Sequence, residues 1–142
     1  MKTLLLTLTL TLSAYILQAQ TENVSPSEGT TLTVTVPVQS TEGHVIFALY
    51  DETTFLKQPL MGLESTIVDG KATVTFTSVL PGTYAVVLFH DKNDNKQMDF
   101  EANGMPKEMY GASNNVLSFG PPQWNDSKFE VGDEPLTFEI IM

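Results

Sequence analysis

Residues 71–90 read KATVTFTSVLPGTYAVVLFH and contain two stretches that are typical of β-strands. In residues 71–79, apolar side chains alternate with threonines, which is the pattern of a strand with one buried face. The Pro81-Gly82 pair then predicts a turn. Residues 83–90 are apolar on both faces of a strand, so we expect a central strand that is covered on both sides.

The same period of two recurs on both sides of this stretch. Further strands are predicted over 31–38, 43–50, 63–70, 127–131 and 135–142. Asp69-Gly70 is the preferred pair for a tight hairpin turn, and Pro37 predicts that the first strand lies at a sheet edge. The pattern indicates an all-β fold, a single seven-stranded antiparallel β-sandwich of transthyretin-like or immunoglobulin-like type.

The first 19 residues are typical of a secretory signal peptide. Lys2 precedes a short apolar stretch from Leu4 to Leu17, and Gln18-Ala19 follows, after which we expect cleavage. A membrane anchor is the alternative, but the stretch is short and is interrupted by threonines. Residues 20–30 are polar and predict a flexible leash, and 31–142 form the domain. We therefore expect a secreted or periplasmic protein with no transmembrane segment in the mature chain.

Composition excludes several functional classes. The chain has seven lysines, no arginine and 17 acidic residues, for a formal net charge of −10. Nucleic acids are bound mainly through basic side chains, so a nucleic-acid partner is excluded, and an anionic membrane surface is disfavoured. The absence of cysteine excludes thiol nucleophiles, cysteine-bound metals and disulfides.

Residues 91–126 interrupt the β pattern. They contain six of the seven asparagines and no alternating run of strand length. Loops longer than about 12–15 residues are uncommon in compact domains and are usually functional or disordered. This segment also carries many aromatic, methionine and aliphatic residues, enough to pack against the domain. We therefore expect one long ordered loop.

The start of this loop has the spacing of a calcium-binding loop. Oxygen-bearing side chains occupy positions one, three, five and nine, and position seven is where such loops use a backbone carbonyl. Alternation turns every second side chain inward, where a hard cation collects oxygen ligands. The predicted calcium ligands are Asp91, Asn93, Asn95, Gln97 and Asp99.

Two positions depart from this pattern. Lys96 stands at position six, where calcium loops have glycine, and Ala102 stands at position twelve, where they have a bidentate glutamate. Glu101 or Glu108 could supply an additional ligand from further along the chain. The alternative is a metal-free loop, in which aspartate and asparagine side chains accept backbone hydrogen bonds.

Other residues of the loop suggest a ligand surface rather than catalysis. Three aromatic residues, Tyr110, Phe119 and Trp124, are candidates for contact with a small ligand, a glycan or a protein of the cell envelope, and packing is the alternative role. No catalytic motif is present, so we expect a non-enzyme. We also expect a monomer.

Two other chemistries stay open as alternatives. A hydrolase could use His90, Asp99 and Glu108, and a copper site could be built from the two histidines and the methionines of the loop.

Several motifs of the chain resemble one bacterial family. They are Pro81-Gly82-Thr83-Tyr84-Ala85, His90-Asp91-x-Asn93-x-Asn95-x-x-x-Asp99, Gly104-x-Pro106-x-Glu108-x-Tyr110-Gly111-x-Ser113-Asn114-Asn115 and Phe119-Gly120-Pro121-Pro122. Over about residues 32–141 the chain resembles the uncharacterised family known as domain of unknown function 2141. The resemblance implies an exported β-sandwich protein and no established activity, and the family usually has glycine in place of Lys96.

These observations predict an exported, non-catalytic binding or accessory module of the bacterial cell envelope with a calcium-stabilised loop. The alternative is a structural or stress-related envelope protein whose loop holds no metal.

Overall fold

The computed structural model describes residues 28–142, so the predicted signal peptide and most of the predicted leash lie outside the described residues. The described part is mostly β-strand with almost no helix, as expected for an all-β protein. The strands are β1 (Thr30–Pro37), β2 (His44–Tyr50), β3 (Met61–Thr66), β4 (Lys71–Val79), β5 (Gly82–Asp91), β6 (Tyr110–Ala112), β7 (Phe129–Val131) and β8 (Leu136–Glu139). A 3₁₀ turn (Ser113–Asn115) and one short helix, α1 (Trp124–Ser127), lie between β6 and β7.

The strands form two sheets. The three-stranded sheet has the order β4-β1-β8, and the five-stranded sheet has the order β3-β2-β5-β6, with β7 also paired to β5. β6 pairs with the middle of β5 at Val87–Phe89, and β7 pairs with its beginning at Gly82–Tyr84. The central position predicted for β5 is therefore confirmed.

The strand count and the strand directions differ from the prediction. Residues 28–142 contain eight strands rather than seven, because the predicted loop 91–126 contains β6 as well as the 3₁₀ turn and α1. The sheets are not purely antiparallel, since β1 pairs in parallel with β8. The prediction that β1 is an edge strand is also wrong, because β1 lies between β4 and β8. Pro37 ends the strand two residues beyond its last pair with β8, at Thr35, so its missing N–H interrupts no bond to β8.

One buried cluster contains side chains from both sheets. The alternating inward residues of β1, β2 and β4 are buried as predicted, and β5, β7 and the residue after β8 complete the cluster. Its largest fully buried side chains are Phe47, Phe76, Leu32, Leu49, Leu88 and Ile140. Within the described residues, no helix is long and apolar enough to cross a membrane.

Candidate functional site

β5 ends at Asp91, whose fully buried carboxylate begins the candidate site. Its Oδ2 accepts a hydrogen bond from the Lys96 backbone N–H at 2.8 Å, and its Oδ1 accepts one from the Asn95 backbone N–H at 3.1 Å. Gly43 leaves room for this arrangement, because a Cβ there would stand 2.1 Å from the Asp91 carbonyl oxygen. A buried charge is tolerated only when it is hydrogen-bonded, and these two donors fold residues 91–96 into a tight turn.

Lys96 has the backbone conformation that glycine normally has at this position of calcium loops. Its φ is 64°, in the left-handed region. The Lys96 ammonium contacts Glu64 on β3 at 2.6 Å and Asp94 at 3.3 Å. The hydrogen bond from Lys96 to Glu64 is the main cause that raises the pKa of Lys96. The turn therefore forms despite the lysine, and its positive charge is paired with carboxylates other than the predicted ligands.

Asp94 attaches the turn to β2. It also has a positive φ, of 61°, and its Oδ1 accepts a hydrogen bond from Nδ1 of His44 at 2.6 Å. This hydrogen bond is the main cause that holds the pKa of Asp94 below its usual range, and the nearby Lys96 ammonium lowers it further. The outer side of the turn is thus tied to two neighbouring strands through His44 and Glu64.

Three of the predicted ligands meet at the Asp99 carboxylate. The side-chain amide of Asn93 donates to it at 2.7 Å, and that of Asn95 donates to both of its oxygens at 3.0 Å. The amide oxygens of Asn93 and Asn95 accept hydrogen bonds from the backbone N–H groups of Asn95 and Gln97. The Gln97 residue itself is exposed. The carboxylate of Asp99 therefore lies beside the positive ends of two amide dipoles.

Of the two additional candidates, only Glu108 reaches the turn. Its Oε1 accepts from the Lys92 backbone N–H at 3.3 Å, and its Oε2 accepts from the Asp99 backbone N–H at 3.2 Å. Glu108 also lines an open cleft of about 470 Å³ with Asn93 and Asp99. Glu101 is exposed, and its hydrogen bonds in the structure are made by its backbone.

Acidic and histidine side chains alone do not form a metal site here. Across residues 28–142, no group of three or more such side chains is arranged to hold a metal ion. A cation at the turn would therefore need the amide oxygens of Asn93 and Asn95 in addition to carboxylates. Oxygen atoms of this kind are ligands that calcium accepts.

His90 links β5 to the connection before β2. It is buried, its Nε2–H donates to the Glu42 carbonyl oxygen at 2.7 Å, and its backbone N–H donates to the Met109 carbonyl oxygen at 2.9 Å. The structure records no hydrogen bond from the His90 side chain to Asp99 or Glu108 within the described part of the chain.

Sequence reasoning missed the role of Ser113-Asn114-Asn115. The Ser113 hydroxyl accepts from the Val86 backbone N–H at 3.1 Å and donates to the Ser127 carbonyl oxygen. The Asn114 amide donates to the carbonyl oxygens of Asp126 and Lys128, each at 2.9 Å. This part of the turn therefore joins β5 to α1 and to the start of β7.

Asn115 completes the same turn at the free edge of β8. Its amide nitrogen donates to the Glu139 carbonyl oxygen at 3.0 Å, and its amide oxygen accepts from the Ile141 backbone N–H at 2.9 Å. The side chain thus pairs with the β8 backbone as a neighbouring strand would. Asn114 and Asn115 both have positive φ, which asparagine tolerates better than most residues. The available signal was the Ser-Asn-Asn motif within the family resemblance.

The three candidate aromatic residues have different surroundings. The Tyr110 hydroxyl donates to the Gly120 carbonyl oxygen at 2.9 Å. Trp124 packs edge-on against Phe55 with 5.6 Å between ring centroids, and Phe55 packs against Tyr50. Phe119 is fully exposed. Only Tyr110 of the three lines a groove of about 300 Å³ beside β6, so they do not share one cavity.

Comparison with known proteins gives a family. The family model for an uncharacterized protein conserved in bacteria, DUF2141, matches residues 34–139. No curated protein and no solved structure matches the chain. The matched region runs from the middle of β1 to the end of β8 and includes the Asp91–Asp99 turn and the Ser113–Asn115 turn. The chain therefore belongs to the DUF2141 family.

Proposed function

We propose that the protein is an exported, non-catalytic binding or accessory module of the bacterial cell envelope whose Asp91–Asp99 turn binds calcium. The observation that carries this proposal is the meeting of the Asn93 and Asn95 side chains at the Asp99 carboxylate. The two amide groups lie beside the Asp99 carboxylate. The negative charge of this carboxylate would stabilise a cation bound in the same place. On calcium binding, the amide oxygens of Asn93 and Asn95 would take the place of their N–H groups and become ligands of the ion.

The backbone of the turn supports the same proposal. Asp91 at position one accepts from the N–H groups of positions five and six, and Lys96 at position six has the left-handed conformation that such loops need. The Lys96 ammonium is paired with Glu64 and Asp94, which weakens its repulsion of a cation bound in the turn.

Glu108 would supply the charge that Ala102 lacks. Its carboxylate accepts from the Asp99 backbone N–H and lines the same cleft as Asn93 and Asp99. Because the ligand set would combine few carboxylates with the amide oxygens of Asn93 and Asn95, we expect an affinity typical of extracellular calcium modules, with a Kd of order 10⁻⁴–10⁻³ M.

A thermal melt of the exported protein, with calcium and then with EDTA, tests this proposal. A ligand that binds only the folded state stabilises it by about 2.7 kcal/mol at a hundred times its Kd, so the midpoint should rise by several degrees. Asp99→Ala should remove the calcium-dependent rise. Asp133→Ala is the matched control, because Asp133 is an exposed carboxylate outside the turn, and it should leave the rise intact.

Absence of any shift at millimolar calcium would contradict the proposal and favour the alternative, a metal-free structural or stress-related envelope protein. The hydrogen bonds of Asn93, Asn95 and Glu108 would then be the native arrangement of the turn.

A hydrolase that uses His90, Asp99 and Glu108 is the third candidate and has less support. The Nε2 atom of His90 is engaged by a backbone carbonyl oxygen, so it is not free to take a proton from a nucleophile. A substrate screen tests this candidate. An activity that His90→Ala abolishes, while the folded structure stays intact, would replace the non-catalytic proposal.

We also propose that the two sheets are the layers of a β-sandwich of transthyretin-like or immunoglobulin-like type. The support is the single buried cluster, which contains side chains from both sheets. The parallel β1–β8 pair is the feature whose strand direction can be compared with those of the two types.

A further inference from the structure

The imidazole ring of His90 has one nitrogen that the fold does not use. His90 is only 7% exposed, and its Nε2 is bonded to the Glu42 carbonyl oxygen. A carbonyl oxygen only accepts, so Nε2 carries the proton and Nδ1 of the neutral ring keeps a free lone pair. Nδ1 makes no hydrogen bond to any group of residues 28–142.

This free nitrogen is open to a cleft. Within the described residues, no fully buried side-chain nitrogen or oxygen atom lacks a hydrogen-bond partner, so Nδ1 of His90 must be accessible from outside. His90 lines a cleft of about 510 Å³, which we call the His90 cleft. A buried imidazole therefore presents an unpartnered electron pair to a space large enough for an ion or a small ligand.

Two methionines line the His90 cleft as well. The backbone N–H of His90 donates to the Met109 carbonyl oxygen, which extends the β5–β6 pairing by one residue. Residues opposite each other in an antiparallel pair project from the same face, so the Met109 side chain lies next to the imidazole. Met142, three residues after β8, is partly buried against the core cluster and lines the cleft from the other sheet. The fold thus brings one imidazole and two thioethers together from three segments.

The charged residues of the His90 cleft do not provide the ligands of a hard cation. They are Lys92, Lys107 and Glu108. The Lys92 ammonium lies 3.1 Å from the Glu42 carboxylate, and the Glu108 carboxylate accepts backbone hydrogen bonds. A single carboxylate is too few for calcium, and the two ammonium groups oppose a singly charged ion less than a doubly charged one.

We propose that His90, Met109 and Met142 bind Cu(I) in the His90 cleft. Thioether sulfur is a soft ligand that suits Cu(I), and imidazole also binds copper. Zinc is bound by thiolate, imidazole and carboxylate groups, of which this cleft has only one imidazole and one carboxylate. A metal-binding histidine usually donates its second ring N–H to a carbonyl oxygen or a carboxylate, as His90 does to Glu42. Methionine side chains are flexible, so both sulfur atoms can adjust to the ion.

This site is not the copper site that the sequence alone suggested. His44 uses its Nδ1 to bond to Asp94 and does not line the cleft. Met109 is the methionine of the predicted loop that lines it, and Met142 lies outside that loop. The inference goes beyond the proposed function, since the Cu(I) ligands include none of the predicted calcium ligands.

Competition with bicinchoninate, a dye that binds Cu(I), tests the proposal on the exported protein in ascorbate without oxygen. The wild-type protein should remove one equivalent of Cu(I) from the dye, and excess zinc should not displace it. We expect Met109→Leu combined with Met142→Leu to weaken Cu(I) binding by about tenfold or more, because losing ligands costs at least as much as losing a supporting contact. Leucine keeps the size and the apolar character of methionine, so the fold should persist.

Met98→Leu combined with Met105→Leu is the matched control. These two methionines belong to the same loop but do not line the His90 cleft, so their replacement should leave Cu(I) affinity unchanged. NMR signals of the methionine methyl groups give a readout that needs no variant. Cu(I) should move the signals of Met109 and Met142 and leave those of Met98 and Met105 in place.

Three results would overturn the proposal. They are failure of the wild-type protein to take Cu(I) from the dye, affinity that the Met109 and Met142 substitutions leave unchanged, and an equal loss of affinity in the control variant. The calcium-dependent thermal shift, measured on the Met109 and Met142 variant, separates this inference from the calcium proposal. Lost Cu(I) binding with an intact shift is the expected result, and Cu(I) binding by a wild-type protein that shows no calcium shift would contradict the calcium proposal alone.

Discussion

Two asparagine-rich turns of this protein use the same side chain in opposite ways. In the Asp91–Asp99 turn, the amides of Asn93 and Asn95 donate to a carboxylate only four to six residues away. In the Ser113–Asn115 turn, the asparagine amides bond to backbone groups 12 to 26 residues away. The amide contacts of Asn93 and Asn95 in the first turn are local and end on a carboxylate, so a bound ion can alter them. The second joins distant parts of the chain and belongs to the fold itself.

The largest loss of stability is expected from a substitution in the Ser113–Asn115 turn. Ser113→Ala should destabilise the protein by about 2–3 kcal/mol, because the buried Val86 N–H and Ser127 carbonyl oxygen lose their partner. Chemical denaturation measures this free energy. Ser118→Ala is the control, since Ser118 is exposed and should change stability little. Equal effects of the two substitutions would contradict the assigned role of Ser113.

A smaller effect is expected from Asp91→Asn in the first turn. The buried side chain would keep one acceptor oxygen for the two backbone N–H groups of Asn95 and Lys96, at a cost of about 1–2 kcal/mol. The calcium-dependent rise in melting temperature should disappear as well. A variant that loses stability but keeps the full calcium response would remove Asp91 from the ligand set.

Lys96→Gly should raise the melting temperature by a few degrees in the presence of calcium. Glycine adopts the positive φ of this position without steric cost, and the lost contacts to Glu64 and Asp94 are exposed ion pairs of little value. Calcium affinity should also rise, because a positive charge is removed from the turn. A lower calcium affinity in this variant would indicate that Lys96 orders the turn through Glu64.

The smallest expected effect is on the pH dependence of stability. The lowered pKa of Asp94, caused first by the His44 hydrogen bond, means that its stabilising effect is present above the ordinary carboxyl pKa of about 3.9. That effect is lost as the pH falls from this value through the lowered pKa. Stability measured against pH should therefore decline less steeply in Asp94→Asn in this acidic window. Superimposable profiles would contradict the assignment.

The parts of the fold that could be predicted are those that a local pattern specifies. Alternation identified the inward faces of β1, β2 and β4, and the doubly apolar stretch identified β5 as central. β6 has only three residues, one of them Gly111, so its existence depends on pairing with β5 rather than on its own sequence. The parallel pairing of β1 with β8 joins distant segments and has no local signal.

The candidate site divides in the same way. Spacing alone predicted that Asn93, Asn95 and Asp99 belong together, because alternate residues of a tight turn share its inner side. Spacing alone could not show which of Glu101 and Glu108 reaches the turn. That distinction depends on the return of the chain at the Phe100–Pro106 bridge, which brings Glu108 back to the turn.

The most direct test of the difference between the two turns is a calcium titration followed by the side-chain amide NMR signals of the asparagines. The account predicts that the signals of Asn93 and Asn95 move and saturate at millimolar calcium, that those of Asn114 and Asn115 stay fixed, and that Asp99→Ala removes the response. Asn93 and Asn95 signals that do not move at any millimolar calcium concentration would contradict the claim that the Asp91–Asp99 turn binds this ion.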